Sequence, residues 1–146
     1  MKYLLLLSFY LPAFGQMPDP VKWSFSSKKI NDDTCEIHMK ATIAKGWFLY
    51  SQFNEGGPGP SSVHFEKNKM VKMLDDVREV GKMQYRYEKM FDAKVREYAT
   101  RVEFIQKVLR KDSGDVTING VVKYISCNGA LCLPPKELPF SVRAFN

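Results

Sequence analysis

From residue 21 onward, apolar and polar residues alternate in short runs, the period-two signature of half-buried strands. Val21, Trp23 and Phe25 alternate with Lys22 and Ser24. Asn31-Asp32-Asp33 reads as a turn, after which Cys35, Ile37, Met39, Ala41 and Ile43 alternate with Glu36, His38, Lys40 and Thr42. Lys45-Gly46 leads into an aromatic strand over residues 47–52, and Gly56-Gly57-Pro58-Gly59-Pro60 can only be a loop. Val63 to Phe65, Met70 to Leu74 and Gly81 to Tyr87 read as further short strands. Val116 to Ile125 is β-rich, with Asn119-Gly120 as either a hairpin turn or a bulge within one longer strand. Pro134-Pro135 stops pairing, and Leu138 to Phe145 gives a last strand. Residues 93–110 are ambiguous. Val95, Tyr98, Val102, Ile105 and Leu109 fit a helical stripe, while Tyr98, Thr100, Val102, Phe104, Gln106 and Val108 fit a strand. Many short strands separated by turns predict an all-β fold, an antiparallel β-sandwich.

The first residues break this pattern. Met1-Lys2 supplies one positive charge, and Tyr3 to Phe14 carries none. That run is too short to span a bilayer as a helix. It matches the apolar core of a secretory signal, with Ala13-Phe14-Gly15 offering small residues for cleavage. Residues 1–15 are therefore expected to be a removed signal peptide and residues 16–146 one exported domain without membrane insertion. The aromatic share of 13% excludes a disordered chain. The net charge of +6 is dispersed along the chain, which reads as solvation rather than nucleic-acid binding.

Export changes the reading of the three cysteines, because an oxidising compartment permits disulfides and three thiols cannot all pair. Cys127 and Cys132 are five positions apart with Asn128-Gly129 between them, residues that readily take positive φ and let the loop fold back. Three readings stand side by side for this pair: a plain structural disulfide, a redox pair, and soft-metal binding with a methionine. A bridge closing so short a ring stabilises the fold by only about 2 kcal/mol. Cys35 lies on the apolar face of its strand and reads as a buried core thiol. The methionines are scattered, as core packing would leave them, and His38 and His64 read as solvent-facing residues without ligand spacing.

The stretch Tyr124-Ile125-Ser126-Cys127 through Cys132-Leu133-Pro134-Pro135 resembles the active-site segment of the N-terminal domain of the thiol:disulfide interchange protein DsbD, a family whose members also occur as free-standing domains. Gly46-Trp47-Phe48-Leu49-Tyr50 resembles the family's aromatic strand, and Phe91 followed by Tyr98 its cap phenylalanine and the tyrosine after it. The similarity runs in order over roughly residues 20–143.

The resemblance implies an immunoglobulin-like β-sandwich with residues 94–109 as a strand. It also implies a protein-disulfide oxidoreductase of the periplasm that relays electrons. The donor would be a thioredoxin-like protein, membrane-bound or periplasmic. The acceptor would be an exported oxidoreductase, with an isomerase and a cytochrome-maturation protein both open. Cys132 would be the attacking or attacked sulfur and Cys127 the resolving one. Phe91 would be the cap, and Phe48 and Tyr50 the lining aromatics, which alternation places on one strand face. No cofactor or resident metal is expected. Two departures stand out. The cysteine loop is one residue shorter than in the best-known members, though others share its spacing. Lys89 and Met90 replace the acidic residues before the cap, which leaves Glu88 and Asp92 as the nearby carboxylates. Neither a membrane segment nor a thioredoxin-like domain follows Asn146, so the donor is expected to be another protein.

Overall fold

The computed structural model describes residues 15–146, and eleven strands are found among them. They are β1 (Val21–Lys29), β2 (Thr34–Ile43), β3 (Phe48–Tyr50), β4 (Ser62–Phe65), β5 (Val71–Gly81), β6 (Gln84–Glu88), β7 (Ala93–Tyr98), β8 (Arg101–Arg110), β9 (Val116–Tyr124), β10 (Ser126–Cys127) and β11 (Lys136–Ala144). They form three antiparallel sheets, ordered β1-β2-β8-β5, β10-β3-β7-β6 and β11-β9-β4. The expected signal peptide lies, except for Gly15, outside the described residues. No described helix is long and apolar enough to cross a membrane.

The alternation in β2 is realised residue by residue. Cys35, Ile37, Met39, Ala41 and Ile43 are buried, and the residues between them face outward. They meet Val102, Phe104 and Val108 of β8 and, from the third sheet, Ile118, Val122 and Val142 in one core. Leu49 and Tyr98 of the second sheet also point into this core. Aromatic side chains line one side of it. Phe25 stacks on Phe140 at 4.7 Å between ring centroids, and Trp23 lies 5.4 Å from Tyr124.

Three segments differ from the sequence expectation. Residues 94–109 form no helix, but they are two strands rather than one. The chain bends at Ala99-Thr100 and passes from the second sheet (β7) to the first (β8). Such a corner lets one segment serve two sheets. Likewise β5 continues from Val71 to Gly81, because a bulge between Leu74 and Arg78 absorbs Asp75-Asp76. The buried Gln106 amide donates to the carbonyl oxygens of Leu74 and Asp75 there, at 2.8 and 3.3 Å. The expected strand from Gly81 to Tyr87 is divided between the end of β5 and the start of β6. At Asn119-Gly120 the second of the two options holds in part: β9 runs straight through in unbroken register with β11. A Cβ on Gly120 would lie 2.5 Å from the Phe140 ring, so only glycine permits this close approach.

The second sheet positions everything that follows. Its inner face, Leu49 and Tyr98, belongs to the core. Its outer face carries the residues one step out of phase: Phe48, Tyr50, Val95, Glu97, Arg86 and Glu88. Glu79 of β5 ties this sheet to the first. It accepts hydrogen bonds from Ser51 Oγ at 2.8 Å and Tyr98 Oη at 2.6 Å.

Candidate redox site at the tip of a hairpin

Cys127 and Cys132 are joined as a disulfide, with Cα atoms 4.0 Å apart. They face each other as an antiparallel pair across a small hairpin, closed further out by Leu133 N–H donating to the Ser126 carbonyl at 2.9 Å. The turn Asn128–Leu131 is held by its own sequence. The Asn128 side-chain oxygen accepts from the Ala130 and Leu131 amides at 3.0 and 2.9 Å, and Gly129 takes φ +86°. An Asx-type turn followed by glycine lets the chain reverse within six residues and brings the two cysteines face to face.

The two sulfurs are not equivalent. Cys127 is 1% exposed, sits on β10 and pairs in register with Phe48 of β3. Cys132 lies beyond the turn and is only half-buried, next to the exposed Leu131. Cys127 packs with Tyr50 and Val95 in a small cluster separate from the main core, joined at its edge by Phe91, Ile125 and Cys132. The structure thus brings Cys127, Cys132, Tyr50 and Phe91 together. Phe48 adjoins them through its pairing with Cys127, while Trp47, its neighbour in sequence, turns to the main core.

Phe91 is carried by the β6–β7 turn, residues 89–92. The Phe91 amide donates to the Glu88 carbonyl at 3.2 Å, and Asp92 adopts φ +49°. Tyr87 Oη donates to the Asp92 carboxylate across the base of the turn, which pulls the tyrosine pKa up. The Gly56–Pro60 loop braces Phe91 from the other side. A Cβ on Gly57 would lie 3.2 Å from its ring and 3.1 Å from Val95, and Gly57 has φ +63°. Asn54, 3% exposed, holds this loop by donating to the Gly56 and Gly59 carbonyls and accepting from the Arg96 amide.

Behind the aromatic residues lies a buried charge cluster. The Arg86 guanidinium stacks over Phe48 at 4.5 Å from the ring centroid. It donates to both carboxylate oxygens of Glu97, at 2.6 and 3.1 Å, and to Glu88 at 2.6 Å. Glu97 is fully buried and Glu88 nearly so. The hydrogen bonds that Arg86 donates to Glu97 and then Glu88 hold its proton more firmly than in an ordinary arginine. The Tyr50 hydroxyl, buried here with no hydrogen-bond partner among the described residues, has its pKa pushed up to about 12. Burial is the main cause, and the charges of Glu97 and Glu88 add to it. Of the two carboxylates near the cap, Glu88 is thus committed to Arg86 and Asp92 to Tyr87.

Several participants escaped the sequence reading. Arg86 and Glu97 were not singled out, yet their phase on β6 and β7 matches that of Val95 and Tyr50, which was the available signal. Met90 is not core. It is 43% exposed, with its Sδ 4.0 Å from Cys132 Sγ. His38 is not solvent-facing but 17% exposed in its side chain, wedged between Glu103 at 2.7 Å and Glu36 at 3.2 Å on the first sheet. Cys35 is free and fully buried, and burial pushes its pKa up to about 11.

A β-sandwich that presents a short-loop disulfide at a hairpin tip, with one sulfur sealed and the other half-open beside an aromatic turn, defines a class of disulfide-bearing domains. Against known families, residues 16–143 match the model for the N-terminal domain of the thiol:disulfide interchange protein DsbD. The chain belongs to that family, and its fold is the family's immunoglobulin-like β-sandwich. The reduced DsbD N-terminal domain of Neisseria meningitidis superposes with a TM-score of 0.52 at 16% identity, covering 84% of this chain and 81% of that one. The N-terminal periplasmic domain of ScsB from Proteus mirabilis gives 0.55 at 18% identity, covering 88% of this chain but 48% of that one. The Neisseria meningitidis complex between the DsbD and PilB N-terminal domains gives 0.51 at 13% identity, covering 83% and 80%. A sequence comparison with curated proteins finds no match.

Proposed function

We propose that residues 16–146 act as one exported, periplasmic thiol–disulfide exchange domain. It relays reducing equivalents from a thioredoxin-like donor to exported oxidoreductases through Cys127 and Cys132. The observation that carries this reading is the asymmetry of the bridge: Cys127 is sealed at 1% exposure while Cys132 is half-open at the hairpin tip. Only one sulfur is then open to in-line attack. A donor thiolate attacks Cys132 Sγ, the S–S bond breaks, and Cys127 leaves as a thiolate that takes a proton. The donor's second thiolate then attacks the donor sulfur of the mixed disulfide and frees Cys132, so two electrons have moved onto the pair. Toward an acceptor the steps reverse. The Cys132 thiolate attacks the acceptor disulfide, and Cys127 displaces the acceptor by re-forming the bridge.

Membership of the DsbD family supports this chemistry, and the complex of a solved relative with another protein's domain supports a protein as partner. Phe91 serves as a cap over the pair, with Phe48 and Tyr50 lining it. An apolar cover keeps solvent from the sulfurs and disfavours the thiolate until a partner displaces the turn. Export rests on residues 1–15, whose removal is read by mass spectrometry of the protein recovered from the periplasm.

The test is mechanism-based trapping. A Cys127→Ala variant, left with Cys132 as its only site thiol, should accumulate a mixed disulfide with its partner in cells. A Cys132→Ala variant should not. Absence of any trapped species, together with a native bridge that resists thioredoxin-type reductants, would leave a structural disulfide in a binding module as the better reading.

A further inference from the structure

Met90, on the turn beside Cys132, gives the site a third sulfur. We propose that the reduced pair binds one soft, monovalent d10 cation, of which Cu(I) is the chemical type, between Cys127 Sγ, Cys132 Sγ and Met90 Sδ. Met90 Sδ is already 4.0 Å from Cys132 Sγ. Sulfur ligands stand roughly 2.3 Å from a bound d10 ion, so two of them on one trigonal ion lie about 4 Å apart. The cap turn therefore holds Met90 at the spacing of a ligand pair. Reduction supplies the rest. Cys127 and Cys132 face each other with Cα atoms 4.0 Å apart, and once the bond opens, side-chain rotation alone separates the sulfurs to a similar distance.

The donor set selects the ion. Two thiolates and a thioether suit Cu(I), whereas zinc takes four ligands from Cys, His and carboxylate. Among the described residues no cluster of three or more His, Cys, Asp or Glu side chains is placed to hold a metal. The carboxylates closest to the site are committed, Glu88 to Arg86 and Asp92 to Tyr87. The surroundings also fit. Phe91, Tyr50 and Val95 shield one side of the pair, and the exposed Met90 and half-buried Cys132 leave an entry path on the other. Binding displaces the two thiol protons to solvent and changes no oxidation state, so no co-reactant is required. Lys89, exposed beside Met90 on the turn, opposes the net negative charge of the loaded site. The ion and the disulfide are mutually exclusive, so bound Cu(I) holds the relay out of its cycle.

The inference shares with the exchange reading only the requirement that the bridge can be opened. The test uses protein reduced chemically and anaerobically, titrated with Cu(I) against a chromogenic Cu(I) chelator. One equivalent should bind, none should bind to the oxidised protein, and Cys35→Ala should leave the stoichiometry unchanged. Met90→Leu should weaken binding about tenfold or more, the scale on which even outer-shell partners of a metal act. X-ray absorption should count three sulfurs around copper in the native protein and two in Met90→Leu. Equal affinity and equal sulfur count in Met90→Leu would overturn the assignment, as would failure of the reduced protein to bind Cu(I). Reduction by thioredoxin without Cu(I) binding would sink this inference alone. Cu(I) binding in a protein that traps no partner and that thioredoxin cannot reduce would sink the exchange reading alone.

Discussion

Two sulfur environments in one small protein show opposite uses of burial. Cys35 lies in the main core, which the first and third sheets share, and is fully buried. Nothing reaches it, and its pKa is pushed up to about 11, so it serves as packing. Cys127 is buried almost as completely, but in a patch built from Tyr50, Val95 and the edges of Phe91 and Cys132. Part of its cover is Phe91 on a four-residue turn, which a glycine-rich loop braces from behind. The same low exposure is thus held by whole sheets in one place and by a short turn in the other. What separates them is the architecture of the lid: two sheets in the first case, a turn braced by Gly57 and a Tyr87–Asp92 hydrogen bond in the second.

Substitutions that load the two regions separately should expose this difference, and the largest loss belongs to the core. Phe104→Ala removes a fully buried ring between the sheets and should cost about 3–5 kcal/mol, read as a shift of the denaturant midpoint. At temperatures where the variant stays folded, its exchange rate should match that of the native protein. A slowed exchange in folded Phe104→Ala would mean that the core and the site are one cooperative unit.

Alkaline titration separates the regions by a smaller amount. Cys35 and Tyr50 both have folded-state pKa values raised above their ordinary ones, to about 11 from 9.0 and to about 12 from 10.0. A raised value means that the folded state holds the proton more tightly. The associated stability is therefore complete below the unfolded pKa and is lost as pH rises through the folded one. The window is pH 9 to 11 for Cys35 and pH 10 to 12 for Tyr50, with about 3 kcal/mol at stake in each. Cys35→Ala should flatten the first part of the stability–pH curve and Tyr50→Phe the second. Tyr50→Phe should also be neutral or slightly stabilising at pH 7, because it removes a buried hydroxyl that has no partner.

How far these regions were legible from sequence follows from the kind of order each one has. The β2 alternation reports directly which side of a strand faces the core, so Cys35 and its neighbours could be assigned without a structure. The phase of Phe48 and Tyr50 was legible for the same reason. Periodicity cannot report where a chain changes sheets. Residues 94–109 keep an alternating pattern across Ala99-Thr100, so the corner between β7 and β8 leaves no period of its own. Nor can it report long-range register. Arg86 becomes a site residue only because β6 pairs with β7 and β7 with β3, which sets its guanidinium over Phe48 and against Glu97. The GGPGP segment was recognisable as a loop, but its contact with Phe91 depends on how Asn54 folds it back. The resemblance to a family pointed to Phe91, whereas Met90 became informative only through its distance to Cys132.

Removing the bridge itself should cost less than either effect above. Replacing Cys127 and Cys132 together by alanine opens a six-residue ring, for which loop entropy gives about 2 kcal/mol. A loss much above that, with partner binding retained, would place the disulfide among structural elements. A loss near it, with exchange abolished, fits a bridge kept for its chemistry.

The smallest change in stability should accompany the most telling change in reactivity. Phe91 is half-buried on one edge of the Cys127 patch, so Phe91→Ala forfeits only part of an aromatic burial, about 1 kcal/mol. If the turn works as a lid, the same variant should react faster, because an attacking small thiol no longer has to displace the ring to reach Cys132. An obstruction worth about 1.4 kcal/mol would appear as a tenfold faster reduction of the bridge by glutathione. The partner protein, which displaces the turn with its own surface, should gain less, so the ratio of the two rates should fall. Phe104→Ala lowers stability without raising reactivity, and Phe91→Ala should raise reactivity with little loss of stability. Stopped-flow measurement of bridge reduction, paired with equilibrium unfolding of the same two variants, decides the matter. An unchanged glutathione rate in Phe91→Ala would show that the turn does not gate the pair, and the distinction between the two kinds of cover would have to rest on the Gly56–Pro60 loop instead.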